Sequence, residues 1–268
     1  MIPSDLAPGD AKSLERDWRD VELRRITSTD EPDFDMAFGA LWAEFGASAE
    51  IEQAEVLARR MAWDGRTMTD GCALRYRMLM IVAGGRFAAV RDHTAIVQDG
   101  AEGAVVHLSH NLVAPEWRRT GLAGWLRALP IQTARRALAA QGRSESEPVT
   151  LVGEMEHPEP GNQASIVRLR AYAKAGHWKV DPERVNYLQP DFRTPDEIDA
   201  SGGPRPIPMG LVIRRVGRES ETTVTGAEVR AIASALYRMY AQGFRLEDMR
   251  PLFAALENYP SPETRIRL

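Results

Sequence analysis

The stretch AVVHLSHNLVAPEWRRTGLA, residues 104–123, decides the fold prediction for this chain. Its first ten residues have the apolar character of a strand, and a long helical pattern begins near Ala123. A strand that runs through a tight turn into a helix leaves unpaired N–H groups at the positive end of the helix dipole, which favours an anion. Gly121 has no Cβ, so a phosphate can approach the backbone closely, and Arg118 and Arg119 add positive charge. The stretch therefore predicts a cradle for a pyrophosphate.

Two common phosphate-binding motifs do not fit this turn. A Walker loop ends in Gly-Lys-Ser/Thr, whereas this segment has Gly121-Leu122-Ala123, and the spacing Gly-x-Gly-x-x-Gly of dinucleotide-binding folds is absent. The turn does match Arg/Gln-x-x-Gly-x-Gly/Ala, with Val113 five residues before the first arginine. It resembles the acetyl-CoA pyrophosphate loop of the GNAT superfamily of acyl-CoA-dependent N-acyltransferases.

The resemblance extends beyond the loop. Residues 149–154 have the pattern of the next strand, and a helical pattern over 165–175 carries Tyr172 four residues before Gly176, as in the family. Two positions depart from the family: Ser165 stands where an asparagine is frequent, and His177 stands where phenylalanine is usual. The resemblance implies an α/β (α+β) fold with a mixed, mostly antiparallel central sheet flanked by helices.

The order of patterns along the chain predicts three parts. Residues 1–20 are polar and contain proline, which predicts a flexible N-terminal tail. Residues 21–216 correspond to the GNAT-like domain, in which residues 87–90 and 94–98 are expected to be separate strands. Pro130 is expected to kink or split the helix over 123–140. Residues 217–268 form a helical extension, which we expect to pack on the core or on a second subunit as a homodimer contact.

Composition excludes several classes of protein. The net charge of −4 and the pI near 5.8 give no reason to expect nucleic acid as a partner. No apolar run is long enough for a membrane span, and the first ten residues lack a signal-peptide pattern, so the expected location is cytoplasmic. Cys72 is the single cysteine, which excludes an internal disulfide and a cysteine metal cluster.

The resemblance implies which residues bind acetyl-CoA, the expected co-substrate. The amides of residues 119–123, which we call the cradle, would hold the pyrophosphate, and the strand before them would pair with the pantetheine arm. The alternative is that the two arginines are a solvated pair, although cations are unfavourable at this end of a helix dipole. The predicted cofactor-binding residues are Leu112, Val113, Arg118, Arg119, Thr120, Gly121, Leu122, Ala123 and Ser165.

An amine acyltransferase must deprotonate the amine and protonate the departing thiolate. Tyr172, matched to the family position, is predicted as the general acid; its alternative is a core tyrosine. Glu154 is the first candidate for the general base and His107 the second, whereas His110 lies on the opposite face of the strand. A structural histidine, a solvated strand end for Glu154, and a water molecule acting as the base remain open alternatives.

The resemblance implies that the first two helices and the loop between them line the acceptor side. Trp42, Phe45 and Glu156 are predicted to bind substrate, because acidic residues beside aromatic rings suit a cationic amine. An acidic substrate remains an alternative, because Arg75 and Arg77 on a predicted strand could bind it. No metal site is predicted, and the absence of a Gly-x-Ser-x-Gly elbow argues against an α/β-hydrolase.

The predicted function is transfer of an acetyl group from acetyl-CoA to a primary amine, small-molecule or peptide, by direct attack in a ternary complex. No covalent enzyme intermediate is expected, because the only thiol lies far from the motifs. The alternative is a non-catalytic acyl-CoA-binding module of the same fold.

Overall fold

The computed structural model describes residues 2–47, 50–157 and 163–268. The strands are β1 (Val21–Ile26), β2 (Asp64–Thr69), β3 (Cys72–Ala83), β4 (Arg86–Gln98), β5 (Ala104–His107), β6 (Asn111–Val113), β7 (Val149–Met155), β8 (Trp178–Lys179), β9 (Tyr187–Gln189), β10 (Ile207–Arg215), β11 (Thr223–Thr225) and β12 (Arg265–Arg267). The α-helices are α1 (Pro32–Phe45), α2 (Ala54–Met61), α3 (Leu122–Ala140), α4 (Gln163–Lys174), α5 (Pro195–Ala200), α6 (Gly226–Ala241) and α7 (Leu246–Ala255).

One large sheet organises the chain, with the order β1-β3-β4-β5-β7-β10-β8. Its pairs are antiparallel, except that β5 and β7 run parallel. Strand β2 adds to β3, β6 to β4 and β9 to β10. The predicted mixed, mostly antiparallel α/β fold is therefore confirmed.

The sheet opens between β6 and β7. Thr94 of β4 pairs with His107, and Arg91 of β4 pairs with Asn111. The partner segment therefore advances four residues, from 107 to 111, while β4 advances three. The extra residue interrupts the strand expected over 104–113 and produces a bulge at residues 108–110. Strand β7 stays paired with β5 up to Val152, whereas β6 pairs with β4. The two strand ends diverge and leave a V-shaped opening.

Helices cover both faces of the sheet. Helix α3 packs its apolar side, including Leu126, Ile131 and Leu138, on one face. Pro130 lies inside α3, which runs unbroken from Leu122 to Ala140 and so is not split. Helices α1 and α2 cover the opposite face near β3 and β4.

The C-terminal extension shares its core with the sheet. Ile232, Leu236 and Tyr240 of α6 belong to one buried cluster with Val152 of β7 and Ile213 of β10. The helices predicted around residues 229–240 and 249–256 are present as α6 and α7. The extension therefore packs on the core of the same chain.

The N-terminal residues differ from the loose tail expected over 1–20. Residues 3–5 and 8–14 each form a 3-10 helix that begins at a proline. Asp5, Asp10 and Ser13 are buried. The carboxylates of Asp5 and Asp10 meet basic side chains of α3, a long-range pairing that a polar local sequence does not reveal.

Candidate active site

A cavity occupies the V-shaped opening. On one side it is lined by the bulge, residues 108–110, and on the other by Gly153, Glu154 and Met155 of β7. Side chains from distant elements complete it, namely Phe45 of α1, Tyr172 of α4, Gln189 of β9, Tyr240 of α6, and Phe192 from the segment between β9 and α5. Side chains from distant parts of the chain therefore meet in the cavity between the bulge and β7.

Glu154 and His107, the two candidates for the general base, form a pair in this cavity. Nε2 of His107 lies 2.8 Å from Oε2 of Glu154, and the two side chains are 3% and 5% exposed. The hydroxyls of Tyr187 and Tyr240 both donate to the carboxylate of Glu154, and Gln189 Nε2 donates to it at 3.3 Å. Glu154 is thus a fully engaged, buried carboxylate.

The surroundings of Glu154 favour its ionised form. Burial raises the pKa of Glu154, but the electrostatic interaction with His107 and the hydrogen bonds from His107, Tyr187 and Tyr240 outweigh burial and leave the pKa below its ordinary value. Burial and the nearby Glu154 carboxylate raise the pKa of Tyr240 well above its ordinary value, so this phenol keeps its proton. The cluster therefore holds a carboxylate that orients the imidazole of His107.

Ser109 connects this pair to the cavity. Its Oγ lies 3.1 Å from Nδ1 of His107, on the ring side away from Glu154, and Ser109 lines the cavity. With Nε2–H donating to the carboxylate, Nδ1 accepts from the Ser109 hydroxyl. A continuous chain of hydrogen bonds thus runs from the cavity through Ser109 and His107 to Glu154.

Tyr172 reaches the same cavity from α4. Its ring meets the ring of His177 edge to face, with the centroids 4.9 Å apart. The predicted general acid and the predicted base pair therefore line one cavity from different elements.

His110 has a structural position beneath the bulge. Its Nδ1 lies 2.9 Å from Oδ1 of Asp92, its backbone N–H donates to the same oxygen, and Nε2 donates to the carbonyl of Glu50 at 3.0 Å. Burial lowers the pKa of His110, but the Asp92 carboxylate outweighs burial and raises the pKa to about 9. A protonated His110 thus ties the bulge to β4 and to the segment after α1.

The turn before α3 has the backbone shape expected of the cradle. Gly121 has φ of +98° and Arg119 has φ of +65°, the left-handed region that glycine tolerates best. The Thr120 hydroxyl donates to the carbonyl of Trp117 at 2.7 Å, and Arg118 Nε donates to the carbonyl of Val113 at 3.2 Å. Arg118 and Arg119 are exposed, while Leu122 is buried beneath Ala123.

Two further predicted cofactor-binding positions flank the opening. Leu112 and Val113 form most of β6, the strand that borders it, and both are half-buried. Ser165 is buried on α4. The predicted set thus lies on the elements that border the opening, namely β6, the turn and α4.

The N-terminal residues cover the cradle. The Ser13 hydroxyl donates to the carbonyl of Gly121 at 2.6 Å. A Cβ on Gly121 would lie 2.9 Å from the carbonyl oxygen of Lys12, and one on Gly124 would lie 2.1 Å from Ser13 Oγ. At Gly121, the glycine expected to admit a phosphate, the absence of a Cβ lets Lys12 and Ser13 approach the backbone.

Of the three predicted substrate-binding residues, the structure brings Phe45 to the cavity and leaves the other two away from it. Trp42 is 39% exposed and packs against Phe38, because it follows the fully buried Leu41 and points outward from α1. Strand β7 ends at Met155, so the strand alternation that would place Glu156 beside Glu154 no longer applies there. Glu52 does line the cavity, where it pairs with the buried Arg60.

Several groups of the cavity carried no local sequence signal. Tyr187 and Gln189 come from β9 and Tyr240 comes from α6, 33 to 86 residues beyond Glu154. The position of Ser109 beside His107 could have been predicted, because Ser109 lies two residues after His107 in the same strand pattern. Among the described residues, no group of three or more histidine, cysteine, aspartate or glutamate side chains is arranged to hold a metal ion. None of the described helices has the length and apolarity to cross a bilayer.

No protein-family model and no curated protein sequence matches the chain significantly. Solved structures do resemble it. One is an acetyltransferase of the GNAT family from Streptococcus pneumoniae, at 14% identity and a TM-score of 0.35 over 73% of this chain and 98% of that one. Another is the ribosomal-protein-S18-alanine N-acetyltransferase from Escherichia coli, at 16% identity and a TM-score of 0.35 over 73% and 94%.

A third is an aminoglycoside acetyltransferase from an uncultured soil metagenomic sample, at 12% identity and a TM-score of 0.38 over 58% of this chain and 89% of that one. These proteins are acetyltransferases, and the one from Streptococcus pneumoniae is of the GNAT family, which the motif at residues 118–123 resembles. At these identities and TM-scores, the similarities do not assign an activity to this chain.

Proposed function

We propose that this chain transfers an acetyl group from acetyl-CoA to a primary amine. One observation carries the proposal: the bulge and the diverging strands form a cavity where the hydrogen-bonded chain Ser109–His107–Glu154 ends. A carboxylate-oriented imidazole is suited to remove a proton from an amine near neutral pH. Tyr172, on the cavity, supplies a hydroxyl for the leaving group.

Each of these side chains takes part in one step of direct acetyl transfer. The amine nitrogen bonds to the thioester carbonyl carbon, the carbon–sulfur bond breaks, and the amine proton passes through Ser109 to Nδ1 of His107. Glu154 stabilises the resulting imidazolium, and Tyr172 gives its proton to the departing thiolate. Acetyl-CoA supplies the activated acyl group, for which the cradle and β6 offer backbone groups. The residues require no covalent enzyme intermediate.

The acceptor proposed is a small-molecule or peptide amine. The acceptor side carries the rings of Phe45, Phe192 and Tyr240. Aromatic faces favour a cation. The competing acidic substrate loses support because Arg75 donates to the carbonyl of Asp64 and Arg77 to that of Tyr76, and neither lines the cavity.

The test compares two glutamates of one segment. Purified protein is mixed with acetyl-CoA and a panel of amines, and release of free CoA is followed. Glu154→Gln should lower kcat by about 10²- to 10⁴-fold, the usual contribution of general acid–base catalysis, while Glu156→Gln should stay within about twofold of the unmodified protein. A Glu154→Gln protein that is folded and equally active would refute the assignment.

The second candidate function is a non-catalytic acyl-CoA sensor, which the covering of the cradle by N-terminal residues favours. Both functions predict binding of CoA. Only the enzyme predicts that Tyr172→Phe reduces CoA release while leaving the dissociation constant for CoA unchanged. Binding without turnover on any amine would support the sensor.

A further inference from the structure

Residues 3–14, which we call the N-terminal segment, lie in the cleft between α3 and α4 and line a cavity there together with Arg119 and Gly121. Asp10 lies against the first turn of α3, where a Cβ on Gly124 would be 2.9 Å from Asp10 Cβ. On the other side, a Cβ on Gly9 would be 1.8 Å from the carbonyl oxygen of Lys174, the last residue of α4. The segment therefore makes backbone contact with both helices that border the cradle.

Carboxylates hold the segment in this cleft. Arg127 Nε donates to Asp10 Oδ2 at 3.1 Å, a second Arg127 nitrogen donates to Oδ1, and both side chains are buried. Arg135 lies 2.8 Å from Asp5 Oδ1, and Arg214 Nη1 donates to the backbone carbonyl of Asp5 at 3.2 Å. The segment thus presents anionic oxygens to basic side chains, as a phosphate ligand does.

A buried guanidinium near α3, that of Arg91, has no hydrogen-bond partner among the described residues. Arg91 is fully buried, and none of its three guanidinium nitrogens has a hydrogen-bond partner within the described residues. It lies on β4 between Ala89, which packs with Leu126, and His93, which bonds Thr133 of α3. Arg91 therefore faces α3 from the sheet.

Further basic groups share this interior. Burial and then the charges of Arg214, Arg127 and Arg91 lower the pKa of His177 to about 3. His177 is buried directly after α4, so these three guanidiniums surround the space between α3, α4 and the sheet. An unpartnered buried guanidinium is costly, and the positive charge gathered in this interior favours an anion nearby.

From these contacts we infer that the N-terminal segment is an internal ligand of the cofactor cleft, and that it must leave before the pyrophosphate of CoA enters. This inference rests on the proposed function. Lys12 and Ser13 lie against Gly121 of the cradle, Asp10 lies against Gly124 in the first turn of α3, and Asp5 and Asp10 neutralise arginines that a polyanion would use. The segment and the cofactor are therefore mutually exclusive, and the segment reduces the apparent affinity for CoA.

The segment is also built to detach. Ala7 is its only buried apolar residue, whereas Leu14 is 56% exposed, so little apolar surface opposes release. Its remaining buried groups are polar or charged, and each recovers hydration when the segment leaves.

The first test measures CoA binding by calorimetry for the full chain and for Asp5→Asn/Asp10→Asn. If the covered form dominates, the apparent dissociation constant is raised by the reciprocal of the open fraction, so the variant should bind CoA about tenfold more tightly or better. The matched control is Asp17→Asn/Asp20→Asn, which removes the same charge from exposed carboxylates that pair with Arg19 and Arg16. The control should bind as the unmodified protein does.

The second measurement follows hydrogen exchange of the amides of residues 3–14 in the unmodified protein with saturating CoA. Exchange there should rise on binding, because the segment is displaced. Equal affinity in all three proteins, with residues 3–14 still protected in the CoA complex, would overturn the inference and leave the acyltransferase proposal standing. If none of the three proteins binds CoA at millimolar concentration, the proposed function falls and this inference falls with it.

Discussion

The two ends of the chain both reach the candidate site, but different forces hold them there. The C-terminal extension packs on the sheet face that also carries α1 and α2, through Ile232, Leu236 and Tyr237, each at most 3% exposed. The N-terminal segment lies on the α3 face and is held mainly by Asp5 and Asp10. One end is attached by apolar burial and the other by ion pairs.

This difference separates a permanent part of the site from a removable cover. Full burial of one large apolar side chain contributes about 1.5–3 kcal/mol, and α6 buries several. A buried ion pair gains little net free energy, because desolvation of both charges opposes their attraction. Tyr240 is therefore fixed beside Glu154, whereas the contacts of the N-terminal segment suit a group that leaves when a better anion arrives.

The strongest test of this comparison replaces one leucine at each end. Leu236→Ala should lower the free energy of unfolding by about 2–5 kcal/mol, since the side chain is fully buried and its removal leaves a cavity. Leu14→Ala should change it by less than about 0.5 kcal/mol, because that side chain is 56% exposed. Urea unfolding of both variants gives the two values. Similar losses would show that the N-terminal end is also held by apolar packing.

A second test changes pH and acts on the His110–Asp92 contact, which anchors the bulge to β4. The folded pKa of His110 is raised to about 9 from an ordinary value of 6.5, so its stabilising charge is fully present below pH 6.5 and is lost as pH rises through 9. The free energy of unfolding should fall by about 3 kcal/mol over that window. His110→Gln should flatten the dependence when urea midpoints are compared between pH 6.5 and 9. An unchanged slope would remove His110 as the cause.

A smaller effect is expected from the hydroxyl that the C-terminal extension contributes to the site. Tyr240→Phe removes one of the hydrogen bonds that lower the pKa of Glu154, so the acid limb of the pH–activity profile should move to higher pH. The free energy of unfolding should fall by about 0.5–1.5 kcal/mol. Tyr237→Phe is the matched control, because the Tyr237 hydroxyl accepts from the backbone of Leu188 instead. If both variants give the same profile, Tyr240 does not act on Glu154.

The smallest effect should come from salt, which weakens ion pairs and spares apolar packing. Raising the salt concentration from about 0.1 to 1 M shortens the screening length from about 10 to 3 Å. Exchange of the amides of residues 3–14 should increase by about twofold, while that of α6 should stay constant. Because the pairs are partly shielded from solvent, the change is small. Equal changes at both ends would contradict the distinction between them.

Much of the fold could be predicted because its signals are local. The strand, turn and helix start around Gly121 and the two C-terminal helices follow from spacing and composition within short windows. The division expected at residues 91–93 is wrong, because β4 runs unbroken through them. Polar residues there resembled a turn, yet Asp92 bonds His110 and Tyr76, and His93 bonds Thr133. Long-range partners make a buried polar strand possible.

The candidate site divides in the same way. Glu154 and His107 were within reach of the sequence, because both lie on strands beside the motif and carry side chains suited to proton transfer. Their direct contact, and the contribution of Tyr187, depend on how the sheet opens after the bulge. Trp42 and Glu156 were misplaced because helix rotation and the end of a strand decide which side chain faces a cavity.

By itself, the sequence determined most of the strands and helices and the glycine turn before α3, since periodicity and backbone preference act over a few positions. Only the tertiary structure decided that the Tyr240 hydroxyl, 86 residues beyond Glu154, donates to its carboxylate, and that Asp10 pairs with Arg127 of α3, 117 residues away. Such contacts depend on packing and charge pairing between segments that no local pattern connects.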